Sequence, residues 1–196
     1  MNPHIDWESF DAILFDLDGV LTPTAEVHMR AWSEMFNGYL ESVPGQAPYT
    51  DEDYFAYVDG KPRYDGVRDF LASRGITLPD GSPSDSPEEN TVCGLGNRKN
   101  DAFNTVLARD GVAPYPGSLA FVQAFANRMK FALVSSSKNA PSVLEAADLS
   151  GYFPVVVDGV VAARDGLPGK PAPDTYLHAA QLLGADPGRC VVVEDA

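Results

Sequence analysis

Four short apolar runs constrain this chain more than any other feature. They are 12–15 (Ala-Ile-Leu-Phe), 131–134 (Phe-Ala-Leu-Val), 155–157 (Val-Val-Val) and 190–193 (Cys-Val-Val-Val). None alternates apolar with polar residues, which is the pattern of strands buried on both faces in a parallel sheet. Helical patterns separate the last three. Residues 142–149 follow the second run, and 172–183, with Tyr176, Leu177, Ala180 and Leu183 on one face, precede the fourth. Strands alternating with helices predict a doubly wound α/β sheet.

The first and second runs are too far apart for one crossover. The interval reads as helices at 25–39, 51–57, 64–74 and 88–109, and a polar, turn-rich loop from Pro79 to Pro87 separates the last two. Pro23 and Pro114-Tyr115-Pro116-Gly117 mark its junctions. The expected organisation is an α/β core, 1–24 and 114–196, with a helical cap inserted at 25–113.

Charge narrows the partners. With 28 acidic and 14 basic residues the formal charge is −14, a field that repels nucleic acid and anionic membrane. A phosphorylated ligand would need a local basic cluster, for which Lys61, Arg63, Arg98, Lys99, Lys138 and Lys170 are the candidates. No run reaches the ~18 apolar residues of a membrane span. Met1 to Ser9 carries no Lys or Arg and so does not read as a secretory signal. The cytoplasm is the expected location, and Cys93 and Cys190 are expected as reduced thiols.

Ligands in open α/β sheets bind beyond the carboxyl ends of the strands. The first run ends Asp16-Leu17-Asp18-Gly19, where one carboxylate can attack as a nucleophile while the other moves protons. The second ends Ser135-Ser136-Ser137-Lys138-Asn139, hydroxyl donors before a helix start. The fourth ends Glu194-Asp195, hard oxygen ligands suited to Mg²⁺. Between them, Gly169-Lys170-Pro171-Ala172-Pro173-Asp174 sets one lysine on a stiff loop. Each piece alone is commonplace, a solvated turn or a helix cap. Their joint placement after strands points to phosphoryl transfer.

At these residues the chain resembles the haloacid dehalogenase superfamily. Phe15-Asp16-Leu17-Asp18-Gly19-Val20 is similar to its first motif, and Ser135, Lys170 and Glu194-Asp195 to its second, third and fourth. The resemblance implies a Rossmann-like core in which Asp16 forms an aspartyl-phosphate and Asp18 is the general acid/base. Ser135 and Lys170 would hold the transferring group. Asp16, the Asp18 carbonyl and Asp195, assisted by Glu194, would bind Mg²⁺. It also implies a further helix and strand beyond the acidic pair, so the C-terminal end of the core is expected to be missing.

Within the superfamily the chain resembles the β-phosphoglucomutase family. Asp16 to Trp32 follows that family's opening, with Pro23 in place of its usual acidic residue. Ser135, Ser136, Lys138 and Asn139 match a second phosphate site, Tyr115-Pro116-Gly117 the return from the cap, Gly60-Lys61-Pro62-Arg63 a cap arginine segment, and Arg98-Lys99-Asn100-Asp101 a cap lysine segment. The implied roles are Arg63 on the non-transferring phosphate, and Thr24, His28 and Lys99 linking cap closure to acid/base readiness. Three functions follow in order: isomerisation of β-glucose 1-phosphate to glucose 6-phosphate, a sugar-phosphate phosphatase with the same core, and a truncated domain that only binds. A phosphorylated sugar is the expected partner; oligomeric state is left open.

Overall fold

A computed structural model describes residues 6–59 and 61–195. Gly60, which opens the cap arginine segment, and Ala196, where the sequence ends, lie outside the described residues. The elements in chain order are β1 (Ala12–Phe15), α1 (Thr24–Leu40), α2 (Asp51–Asp53), α3 (Arg63–Ser73), α4 (Val92–Asp110), α5 (Pro116–Phe125), β2 (Lys130–Val134), α6 (Ala140–Ala146), β3 (Val155–Val157), α7 (Gly159–Arg164), α8 (Asp174–Leu183) and β4 (Cys190–Val193). Two compact units result. One comprises the chain up to Thr24 and from Gly111 onward, the other Ala25–Asp110.

The first unit is built on a parallel sheet of order β3-β2-β1-β4. All four apolar runs are strands, and the predicted parallel α/β architecture is borne out. Successive strand side chains point to opposite faces, and each face meets helices. Leu14, Ala132 and Val134 pack with Ala179 and Ala180 of α8. Phe15 meets Phe131, Phe121 of α5 and Phe153 in edge-to-face pairs, its ring centroid lying 5.3 Å from Phe131 and 6.1 Å from Phe121. Buried β1 is covered on both sides, which is why its residues show no alternation.

Several helix bounds differ from expectation. The helix read at 88–109 begins at Val92, because Thr91 accepts the Gly94 amide at 2.9 Å and caps it there. The segment read as one helix at 51–57 is a capped turn, α2, followed by a π-helical stretch, Tyr54–Val58. The helix read at 142–149 is α6, Ala140–Ala146; Asp148, with φ +55°, lies just beyond its end. On α8 the buried face is Thr175, Ala179 and Ala180, whereas Leu177 is 48% exposed. Cys93 and Cys190 are free thiols.

The second unit is helical, around an aromatic core. Phe36 stacks on Trp32 at 5.2 Å, meets Phe70 at 4.1 Å, and contacts Tyr49 at 5.0 Å. The Arg74–Asp53 ion pair, 2.6 Å and mostly shielded from water, ties α3 to α2. Among the described residues no helix is long and apolar enough to cross a membrane.

Candidate active site

Asp16 is the first residue past β1, and its amide donates to the Val193 carbonyl at 2.9 Å. The ladder between β1 and β4 thus reaches to the carboxylate's own backbone and brings Asp16 beside Glu194 and Asp195, which follow β4. Lys170 reaches the same place from the loop before α8. Its ammonium donates to Asp16 Oδ1 at 2.5 Å and pairs with Glu194 Oε1 at 2.9 Å. Oxygens of Asp16, Glu194 and Asp195 lie within 4.8 Å of one another, a hard anionic donor set of the kind that binds Mg²⁺.

Burial shapes the charges here. It pushes the Asp16 carboxyl up to about 6, against the pull of Lys170, so the group is mostly ionised at neutral pH. For Lys170 burial acts downward, but bonds to Asp16 and Glu194 outweigh it and hold the ammonium above the usual lysine range. For Glu194 burial acts upward, yet Lys170 and Tyr176 keep it below the usual carboxylate range. The cluster is therefore a carboxylate–ammonium–carboxylate array.

Asp18 lies half-buried two residues on. The Thr24 hydroxyl donates to its carboxylate, and Thr22 Oγ1 sits 3.2 Å from Thr24 Oγ1. Thr22 and Thr24 are fully buried. Gly19 turns the chain directly after Asp18 with φ +79°, and a Cβ there would lie 2.1 Å from Asp195 Oδ2. Both conformation and space demand glycine.

Ser135 is buried at the end of β2, beside β1. Its Oγ accepts the Ser137 amide at 3.0 Å, and Ser137 Oγ accepts the Asn139 amide at 3.1 Å, so the serines shape a nested turn into α6. Ser136 and Lys138 are exposed and Asn139 half-buried. A Cβ on Gly159 would stand 2.6 Å from the Ser136 carbonyl, so the loops after β2 and β3 are closely packed.

In the helical unit His28 and Lys99 form a pair. Lys99 Nζ is 2.6 Å from His28 Nδ1, and His28 stacks on Phe103 at 4.5 Å. The buried ammonium lies 5.2 Å from the ring centroids of both Trp32 and Phe103. An ammonium only donates, so Nδ1 accepts and His28 is a neutral imidazole protonated at Nε2. Burial and the Lys99 charge lower its pKa to about 3. Arg63 stacks over Tyr64 at 5.0 Å and its Nη2 donates to the Tyr64 hydroxyl at 3.3 Å. Tyr64 in turn donates to Asn97 at 2.9 Å. Gly96 makes room, since a Cβ there would lie 2.5 Å from the Tyr64 ring.

The structure brings Asp16, Lys170, Glu194 and Asp195 together, joins Asp18 to Thr24, and joins His28 to Lys99. Two candidate cations are occupied elsewhere. Lys61 pairs with Asp69 at 2.6 Å, and Arg98 donates to the Pro87 carbonyl at 2.7 Å. One neighbour of the cluster escaped sequence reading. Tyr176, placed with the apolar face of a helix, directs its hydroxyl at Glu194. The available signal was its place in the first turn after the Lys170 loop.

Comparison with known proteins now bears on the site. Residues 10–196 match the haloacid dehalogenase-like hydrolase family. The chain is 47% identical over 199 residues to the β-phosphoglucomutase of Mycobacterium bovis, covering 96% of this chain and 75% of that protein. It is 30% identical to the fructose-1-phosphate phosphatase YqaB of Escherichia coli, covering 97% and 89%. Among solved structures, the β-phosphoglucomutase of Clostridium difficile superposes with a TM-score of 0.66 at 26% identity, covering 95% of this chain and 77% of that one. With Asp16, Lys170 and the acidic pair gathered at the strand ends, the chain belongs to the haloacid dehalogenase-like hydrolase family, on its β-phosphoglucomutase-like branch, and is an enzyme of phosphoryl transfer.

Proposed function

We propose that this chain interconverts β-glucose 1-phosphate and glucose 6-phosphate through a bisphosphate intermediate, with Asp16 as the phosphoryl carrier and Mg²⁺ as cofactor. The observation that carries the chemistry is the 2.5 Å bond from Lys170 to Asp16 Oδ1 inside the carboxylate cluster. It fixes the nucleophile's orientation and supplies a cation where charge develops.

In the first half-reaction an Asp16 oxygen attacks the C1 phosphorus of the bisphosphate, the bond to the sugar oxygen breaks, and glucose 6-phosphate is the leaving group. Asp18 gives that oxygen its proton. In the second, Asp18 takes a proton from the 6-hydroxyl of β-glucose 1-phosphate, that oxygen attacks the aspartyl-phosphate, the Asp16 carboxylate leaves, and the bisphosphate is formed again. Thr24, bonded to the Asp18 carboxylate, orients it for both transfers. Asp16, Glu194, Asp195 and the Asp18 carbonyl would hold Mg²⁺, whose charge offsets that of the transferring group. Ser135 and Lys170 bind phosphoryl oxygens, with Ser136, Lys138 and Asn139 available to a second phosphate. Arg63 offers a guanidinium suited to bidentate phosphate binding, and Lys99 a buried ammonium bonded to the half-buried His28.

The mutase reading draws on the 47% identity to a protein of that name across nearly the whole chain. The 30% identity to a fructose-1-phosphate phosphatase supports the second reading, hydrolysis by the same core. A purely binding role is disfavoured by the intact array of Asp16, Asp18, Lys170 and Asp195. The test supplies β-glucose 1-phosphate, a bisphosphate primer and Mg²⁺. Glucose 6-phosphate formation should exceed free phosphate release. Release of phosphate alone overturns the mutase and leaves the phosphatase.

A further inference from the structure

Phosphoryl transfer as derived above gives no part to Tyr176, yet this residue touches two members of the cluster at once. Its hydroxyl donates to Glu194 Oε1 at 3.2 Å, the same oxygen that pairs with Lys170 at 2.9 Å. Its ring centroid lies 5.1 Å from the Lys170 ammonium. The other Glu194 oxygen accepts the Asp195 amide at 3.2 Å. Glu194 is thus steered from three directions, and Tyr176 is the only one of these partners outside the residues assigned to the reaction.

We infer that Tyr176 is a positioning residue, whose hydroxyl and ring hold Glu194 and Lys170 in the arrangement that Asp16 and a divalent cation require. Its place on the chain explains how. Tyr176 stands in the first turn of α8, directly after the loop that carries Lys170, so its ring folds back against that lysine. The aromatic body packs with the apolar layer of Leu14, Ala179 and Ala180, which anchors the phenol and leaves its hydroxyl to face the carboxylate. A phenylalanine would fill the same space. The hydroxyl is therefore the part that orients the site, since a carboxylate near a metal is commonly aimed by an outer hydrogen bond.

This inference rests on the Mg²⁺-dependent reading above, and its test separates the two. Mg²⁺ alone is titrated into wild type and Tyr176→Phe by calorimetry, alongside thermal melts and steady-state hydrolysis of a small phosphate ester. We expect the variant to melt as the wild type does, to bind Mg²⁺ about tenfold more weakly, and to lose kcat with little change in KM. In a Glu194→Gln background, where the partner carboxylate is gone, Tyr176→Phe should add little. That outcome is one a space-filling role does not produce. Unchanged Mg²⁺ affinity and kcat in Tyr176→Phe overturn the inference, as does a full additional loss in the Glu194→Gln background. A wild type that binds Mg²⁺ but transfers no phosphoryl group overturns the proposed function alone, and the Mg²⁺ comparison still decides Tyr176. A wild type that takes up no Mg²⁺ overturns both.

Discussion

The α/β unit and the helical unit hold their polar residues by different means. In the first, Asp16, Ser135, Glu194 and Asp195 stand immediately past strands; Lys170 joins Asp16 to Glu194, Thr24 bonds Asp18, and the Ser137 amide donates to Ser135. In the second, Lys99 and Arg63 lie against aromatic rings, and His28 is stacked between packing and a single donor. The first arrangement depends on backbone register, so a displacement of one methyl group matters. The second depends on side-chain packing, so its tolerance is set by shape and by the charge state of one imidazole.

The strongest challenge to that contrast is Asp16→Asn. The amide keeps the shape of the buried site but is a poor nucleophile and a weak metal ligand. Turnover should fall roughly 10³-fold or more, while the melting temperature holds or rises, because a desolvated carboxylate has been replaced by a neutral group. Steady-state assays with thermal melts check both halves. Retention of more than a few per cent of activity would overturn the proposed role of Asp16 as phosphoryl carrier.

Legibility from sequence followed the same divide. β1 and Asp16 were readable because a short unbroken apolar tetrad, repeated in three other runs, suits a doubly covered strand, and the carboxylates follow at its end. α5 was missed because Pro116-Gly117 reads as a junction, whereas proline at the first helical position is compatible with a helix start. α7 was missed because Val160 and Val161 favour strands. Asp158 overrides that preference by accepting both their amides, at 2.9 and 2.8 Å. The Asp16–Lys170 bond spans 154 positions; the family resemblance implied only that Lys170 holds the transferring group, and the bond itself comes from the fold. Tyr176 left only its place in the first turn after the Lys170 loop, since an aromatic on a helix face is ordinarily core and only the fold aims its hydroxyl.

Two glycines sharpen the comparison. Gly19 and Gly45 share φ +79°, but a Cβ on Gly19 meets Asp195 at 2.1 Å while one on Gly45 meets nothing within 4 Å. Gly45→Ala, in the helical unit, should cost only the conformational term, about 1 kcal/mol, with activity retained. Gly19→Ala adds displacement of Asp195 and should cut turnover about 10- to 100-fold, with Mg²⁺ affinity falling in parallel. Equal effects from both would show that the first unit is no more register-dependent than the second.

Arg63→Ala probes the helical unit's own contribution to chemistry. Truncation leaves Tyr64 bonded to Asn97, so the fold should persist. Isomerisation should fall about tenfold or more, consistent with loss of a charge-assisted phosphate contact, while hydrolysis of a small phosphate ester changes little. The ratio of glucose 6-phosphate to free phosphate is the readout. A proportionate fall in both activities would place Arg63 among structural residues instead.

The smallest effect isolates the imidazole. His28 titrates near 3 in the folded chain, below the ~6.5 of an exposed histidine. Between those values the unfolded chain binds a proton that the folded chain does not. Its contribution is therefore present above pH ~6.5 and is lost as pH falls toward about 3. The ammonium of Lys99 facing Nδ1 makes protonation doubly unfavourable, while Phe103 and Trp32 supply no acceptor. His28→Gln keeps an acceptor for Lys99 and does not titrate. Stability at pH 8 should drop only modestly from lost stacking, but the difference between melts at pH 8 and pH 4.5 should narrow relative to wild type. The narrowing should be worth about 2 kcal/mol, somewhat under the ~2.7 kcal/mol that the two pH units below ~6.5 supply, or a shift of about 4 to 8 °C for a chain of this length. Carboxylates elsewhere titrate equally in both proteins and cancel. An unchanged difference would mean that His28 already carries a proton in the folded state, and the neutral imidazole deduced from the Lys99 bond would be wrong.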